Sequence, residues 1–284
     1  MLTYKDSAAA SEELLAKKLF VFDMDGTIYL GSRPFRSAVR FINELRDDGR
    51  KVIFFTNNAS HSPEFYLEKL EKLGFSPSRE ELCTSGDVTC AFLNLHRRGR
   101  SVYLVGTPEL YDHFRGYGIP LACDRDGNWN GTKPDIVITS FDTTLTYAKL
   151  ERACTFIRNG AEYLSTHPDF NCPTEAGPVP DSGAIAAFVE ASTGKKPLYF
   201  GKPSSMVVDM ISEISGTEKQ DMVVFGDRMY TDIALGKRNG ILSVLVLTGE
   251  TTLPDVEAAA EADRPDILLE SLGNAGELMW GKRM

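Results

Sequence analysis

Four short apolar runs in the sequence are each followed at once by side chains able to do acid–base, nucleophilic or metal chemistry. Leu19–Phe22 leads into Asp23-Met24-Asp25-Gly26-Thr27, and Val52–Phe55 leads into Thr56-Asn57-Asn58. Leu198–Phe200 leads into Gly201-Lys202-Pro203, and Met222–Phe225 into Gly226-Asp227-Arg228, with Thr231-Asp232 close behind. In open α/β sheets ligands collect beyond the carboxyl ends of the strands, so these residues are placed to meet a substrate. Carboxylates gathered at one sheet edge repel, and without a counter-charge at least one pKa must rise. A divalent cation relieves this, and Mg²⁺ suits one or two carboxylates together with phosphate oxygens. Flanked by Lys202 and Thr56, such an ion completes a donor-rich cup matched to a phosphoryl group. Asp23 would then be the nucleophile, forming an acyl-phosphate. Asp25 could protonate the leaving oxygen and later activate water.

The elements that must hold these residues are legible from periodicity. The four runs, with Val102–Val105, Ile136–Ile138 and Val244–Leu247, are short, continuous and bounded by polar or glycine residues, as strands covered on both faces are. Between the first two lie Phe35, Ala38, Val39, Ile42 and Leu45, an amphipathic helix stopped at Gly49. Ser62-Pro63 opens a helix carrying Tyr66, Leu70 and Leu73, and Val207, Ile211 and Ile214 mark another before Gly216. Asp232 is expected to begin a helix over Ile233–Arg238. Strand–helix–strand alternation with short connections predicts a doubly wound, parallel-sheet α/β fold.

The 284 residues suffice for about two domains. With 42% apolar and 25% charged residues the chain reads as globular. A net charge of −9 offers no footprint for a nucleic acid or an anionic membrane, and no apolar stretch is long enough to span a bilayer. Five cysteines, an odd number with no CxxC pair, read as free thiols of a cytoplasmic protein.

The ordered pieces FDMDGTIYLG (22–31), FFTNNAS (54–60), GKPS (201–204) and GDRMYTDI (226–233) resemble the haloacid dehalogenase superfamily of phosphatases. They are closest to its type IIA branch of NagD-like, pyridoxal, phosphoglycolate and p-nitrophenyl phosphatases. The resemblance implies a Rossmann-like core of residues 1–98 and 196–284 with an inserted α/β cap over 99–195. It also implies Mg²⁺ as cofactor, a small phosphorylated metabolite as substrate and a possible homodimer. Position by position, Asp23 resembles the nucleophile and Asp25 the general acid/base. Thr56, Asn57 and Lys202 resemble the phosphate-binding set. Asp227 resembles the metal ligand, joined by the Asp23 carboxylate and the Asp25 backbone carbonyl. Asp232 resembles the acidic residue that orients the metal's water shell or Lys202. The cap segment that selects the leaving group corresponds to His167–Pro173 and Pro178–Ala184, with a second contact at Phe141-Asp142; Phe141, Asp142, His167, Cys172 and Pro173 are its specificity candidates. Where members of the family it resembles commonly have Asn or another polar residue, and a glycine, this chain has His167 and Asp181.

Other motifs fit less well. Read as a calcium loop from Asp23, the sequence offers Pro34 rather than a bidentate Glu at the twelfth position. Gly201-Lys202-Pro203-Ser204 lacks the upstream glycine of a phosphate-binding P-loop. The same residues could instead pass the phosphoryl group to another acceptor, as a mutase does, or merely bind a phosphometabolite without turnover.

Overall fold

The computed structural model describes residues 7–174 and 176–281. These fall into two compact units: residues 7–55, 67–83 and 202–281, and residues 56–66 and 84–201. The second unit encloses the 99–195 segment and extends it on both sides.

In the first unit a six-stranded sheet runs in the order Ile267–Leu269, Leu242–Val246, Met222–Gly226, Leu19–Phe22, Lys51–Thr56, Leu82–Thr84. Leu19–Phe22 lies centrally, parallel to both neighbours, with Phe22 opposite Phe225 on one side and Phe54 on the other. Its four residues are all buried, which is why the run is unbroken rather than alternating. Phe41, from helix Arg36–Asp47, packs against Phe20, Phe22 and Phe225 with ring centroids 5.8–6.2 Å apart. A further cluster joins Ile233, Leu245, Val256 and Leu268. Both packings bury residues of the strands that the polar residues follow.

The second unit has its own parallel sheet, ordered Leu198–Tyr199, Glu162–Ser165, Ile136–Thr139, Val102–Val105. Helices Ser85–His96, Pro108–Gly116, Tyr147–Arg158 and Ser182–Thr193 accompany it. The short hairpin Asn171–Cys172/Val179–Pro180 projects from the connection before the last of these.

Three expectations need correction. Leu198–Phe200 was expected to deliver Lys202 from the same sheet as Asp23; the strand is only Leu198–Tyr199 and pairs with Leu164 and Ser165 in the second unit's sheet. A short apolar run specifies burial but not which sheet edge it joins. The turn holding Asp232 is a five-residue π-helical turn, Met229–Ile233, and the α-helix starts afterwards at Ala234. Arg228 carbonyl accepts from both Asp232 N (3.1 Å) and Ile233 N (3.2 Å), and this doubled acceptance makes the wider turn. Ile214 is 47% exposed, so the helix Ser205–Ser215 buries Val207, Val208 and Ile211 instead. Strands Leu82–Thr84 and Ile267–Leu269, too short to register as periodic, complete the sheet edges. Among the described residues no helix is long and apolar enough to cross a membrane.

Candidate active site

Asp23 follows the buried central strand directly, and its backbone N–H donates to Phe225 carbonyl at 2.9 Å, extending the parallel ladder by one residue. That register places the residues after the Met222–Gly226 strand beside it. Asp23, Asp227 and Asp232 offer carboxylate oxygens that all lie within 4.8 Å of one another. Lys202 is buried among them, its ammonium in contact with Asp23 Oδ1 and 2.6 Å from Asp232 Oδ1.

One lysine cannot balance three carboxylates. Burial pushes Asp23 up to about 8 and, although Lys202 opposes this, Asp232 and Asp227 reinforce it. Asp227 is pushed up to about 6, again chiefly by burial and then by Asp232, against the Glu250 N–H, Arg228 and Lys202. For Lys202, burial alone would favour the neutral amine, but Asp23 and Asp232 hold it charged, above the ordinary lysine value. An excess of oxygen-only, negatively charged donors in a small volume is the donor set a hard divalent cation requires, so these residues fit Mg²⁺.

Asp25 is partly buried, and its carboxyl is raised above the ordinary value by burial; Lys69, the Gly31 N–H and Arg228 oppose the shift. Gly26, next in sequence, has φ +91°, and a Cβ there would come within 2.5 Å of Asp227 Oδ2. Only glycine therefore serves both the turn and the close approach. Asp232 Oδ2 accepts from the Arg228 N–H at 3.1 Å, which aims Oδ1 at Lys202.

A loop that the motif reading passed over holds Asp227 in place. Glu250 N donates to Asp227 Oδ2 at 2.7 Å, Thr251 N donates to Asp227 carbonyl at 3.1 Å, and Thr248 Oγ1 donates to Gly26 carbonyl at 2.6 Å. Gly249 lies so near that a Cβ would sit 2.0 Å from Asp227 Oδ2. The signal was available: these residues follow the apolar run Val244–Leu247 as the other site residues follow theirs.

The remaining candidates lie in the second unit. Thr56 ends its strand, and its Oγ1 accepts from Asn58 N at 3.1 Å, leaving the hydroxyl hydrogen to donate. Asn57 Nδ2 donates to Asp169 Oδ2 at 3.1 Å. Asn58 is turned inward, its Oδ1 accepting from Ser60 N and Ser60 Oγ. Asp142 is buried, accepting from Lys149 Nζ at 2.8 Å and from Thr144 Oγ1 at 2.7 Å, and Phe141 is buried beside it. His167 is fully buried, with Nε2 2.8 Å from Asp181 Oδ1 and Nδ1 2.9 Å from Thr166 Oγ1. Cys172 is half-buried in the hairpin, 3.7 Å from Asn58 Nδ2, and Pro173 is exposed. No disulfide joins the five cysteines among the described residues.

These features define an α/β protein with a carboxylate–lysine cluster beside the central strand of a parallel sheet, and comparison with known proteins gives its family. The haloacid dehalogenase-like hydrolase profile matches residues 20–120, and a second profile of HAD-hydrolase-like proteins matches residues 199–275. An acid sugar phosphatase of Staphylococcus aureus is 34% identical over 240 residues, 84% of this chain and 90% of that protein. The solved 4-nitrophenylphosphatase of Thermotoga maritima is 42% identical with a TM-score of 0.87, covering 94% of this chain and 99% of its own. A glycerol phosphate phosphatase of Mycobacterium tuberculosis, solved in complex with magnesium, is 28% identical with a TM-score of 0.83, covering 92% and 76%. The chain belongs to the haloacid dehalogenase-like hydrolases, in their type IIA phosphatase branch. Its α/β core with an inserted α/β cap domain is that of a phosphoric monoester hydrolase.

Proposed function

We propose that the protein hydrolyses small phosphorylated metabolites through an aspartyl-phosphate on Asp23, with Mg²⁺ as cofactor. The observation that carries this reading is the close trio Asp23, Asp227 and Asp232, two of whose carboxylates share the buried Lys202. Asp23, Asp227 and the Asp25 backbone carbonyl would hold the cation. When bound, it neutralises carboxylate and phosphoryl charge, which frees Asp23 to be the ionised nucleophile it must be.

An Asp23 oxygen attacks phosphorus, a new P–O bond forms, and the bond to the leaving oxygen breaks. Asp25, kept protonated more readily than an ordinary carboxyl, gives its proton to that oxygen. It then takes a proton from the water that attacks the aspartyl-phosphate, releasing inorganic phosphate and restoring Asp23. Thr56, Asn57 and Lys202 bind the phosphoryl oxygens, and Asp232 keeps Lys202 in place. Segment 99–195 acts as the cap, and Phe141, Asp142, His167, Cys172 and Pro173 lie in the regions that select the leaving group. The sugar, glycerol and nitrophenyl leaving groups named for the relatives share only a phosphomonoester, which is the substrate class supported here.

The test is hydrolysis of p-nitrophenyl phosphate and a panel of phosphorylated metabolites at fixed Mg²⁺, for the wild type and Asp23→Asn. Turnover that needs Mg²⁺ and falls by about 10³-fold or more in the variant is expected. Full activity of folded Asp23→Asn would overturn the mechanism.

A further inference from the structure

We propose that Asp169 is a positioning residue that fixes Asn57, and that the buried pair His167–Asp181 braces the loop carrying it. The proposal rests on the phosphatase reading, in which Asn57 belongs to the phosphate-binding set. All the residues concerned lie in the second unit.

The side-chain amide of Asn57 is enclosed at both ends. Nδ2 donates to Asp169 Oδ2 at 3.1 Å. Oδ1 faces Gly201, where a Cβ would come within 2.6 Å of it and 2.6 Å of His167 Cβ. A carboxylate can only accept, so Asp169 dictates which end of the amide turns towards it. The Asn57 side chain is thus anchored, and the anchor holds this residue and the peptide joining it to Thr56 where the phosphate-binding set needs them. Burying a carboxylate is costly unless it is hydrogen-bonded. A position that only filled space would be better served by an apolar residue, yet here a buried acid stands opposite the Asn57 amide, whose orientation it can set.

The brace explains how Asp169 stays in place. Its carbonyl accepts from Gly183 N at 2.7 Å, at the start of helix Ser182–Thr193. Asp181 caps that helix, its Oδ1 accepting from Ser182 N at 2.5 Å and lying 2.8 Å from His167 Nε2. On its other side His167 Nδ1 is 2.9 Å from Thr166 Oγ1, which donates to Ser140 Oγ at 2.9 Å. The two sequence departures at His167 and Asp181 are therefore one feature: each supplies the other's partner.

The experiment is a double-mutant cycle on Asn57→Ala and Asp169→Ala, read in kcat, in the inhibition constant of inorganic phosphate and in Tm, using p-nitrophenyl phosphate at saturating Mg²⁺. Asp169→Ala is expected to lower kcat and weaken phosphate inhibition by about 10–100-fold, as a misplaced binding group does. Asp169→Asn, which can still accept from Asn57, should restore both to within about threefold. The double variant should be no worse than Asn57→Ala alone. Losses that multiply in the double variant, or an Asp169→Ala enzyme with unaltered phosphate inhibition, would overturn the link while leaving the phosphatase reading intact. If Asn57→Ala alone changes neither quantity, the assignment of Asn57 to phosphate binding fails and the proposal fails with it. Should Asp169→Ala not fold, Asp169→Ser is read in the same way.

Discussion

The ammonium of Lys202 lies 2.6 Å from Asp232 Oδ1 while also touching Asp23, and all three side chains are largely withdrawn from water. Asp232, held also by the Arg228 N–H, is the more enclosed partner, and Asp23 the more exposed one. The arrangement sets one ammonium between two carboxylates.

Removing that cation exposes the repulsion it offsets. Lys202→Met should destabilise the protein by on the order of 3 kcal/mol without a divalent cation, because the buried carboxylates lose their counter-charge. Mg²⁺ should recover part of this in a thermal melt while turnover stays depressed by about 10²–10³-fold. An EDTA-treated variant melting with the wild type would contradict the charge balance described here.

Gly249 presses on the carboxylate that would hold the metal. Gly249→Ala would place a methyl group 2.0 Å from the present position of Asp227 Oδ2, so the carboxylate must move. The Mg²⁺ concentration giving half-maximal activity should rise by about 10–100-fold, in line with the loss of groups that orient metal ligands. Titration of activity with Mg²⁺ measures it, and an unchanged midpoint would show that the loop does not set Asp227.

Asp266 gives a pH dependence away from the site. Burial opposes its ionisation, but hydrogen bonds from Lys237 and Ser243 outweigh burial and lower its pKa below the ordinary 3.8. A carboxyl depressed on folding contributes stability in full above its unfolded pKa and loses it as pH falls through the folded value. Asp266→Asn should therefore cost about 1 kcal/mol at pH 7, a figure kept small because the group is partly solvated. The gap between variant and wild type in urea melts should close as the solution is acidified below 3.8. A gap that persists or widens in acid would show that these bonds do not depend on the charge.

Much of the site was written in the sequence because strand ends can be read locally. Asp23, Asp25, Thr56 and Asp227 each follow an apolar run whose length and continuity mark a buried strand, and the parallel fold makes the ends of such strands the place for chemistry. Lys202 was found by the same logic, although its preceding strand belongs to the other sheet. Burial and punctuation are local properties of a segment; the neighbour it pairs with is not.

The sequence by itself determined the fold class, the order of the motifs and the residue types of the carboxylate–lysine cluster. Only the tertiary structure decided which groups are spent on one another. That Asp142 is taken by Lys149, His167 by Asp181 and Asn57 by Asp169 depends on distances between segments as far apart as 112 residues, which no periodicity encodes. The clasp of Gly249 and Glu250 on Asp227 is of the same kind. Hydrogen bonds and close contacts act over about 3 Å, and only the folded chain brings such distant partners within that reach.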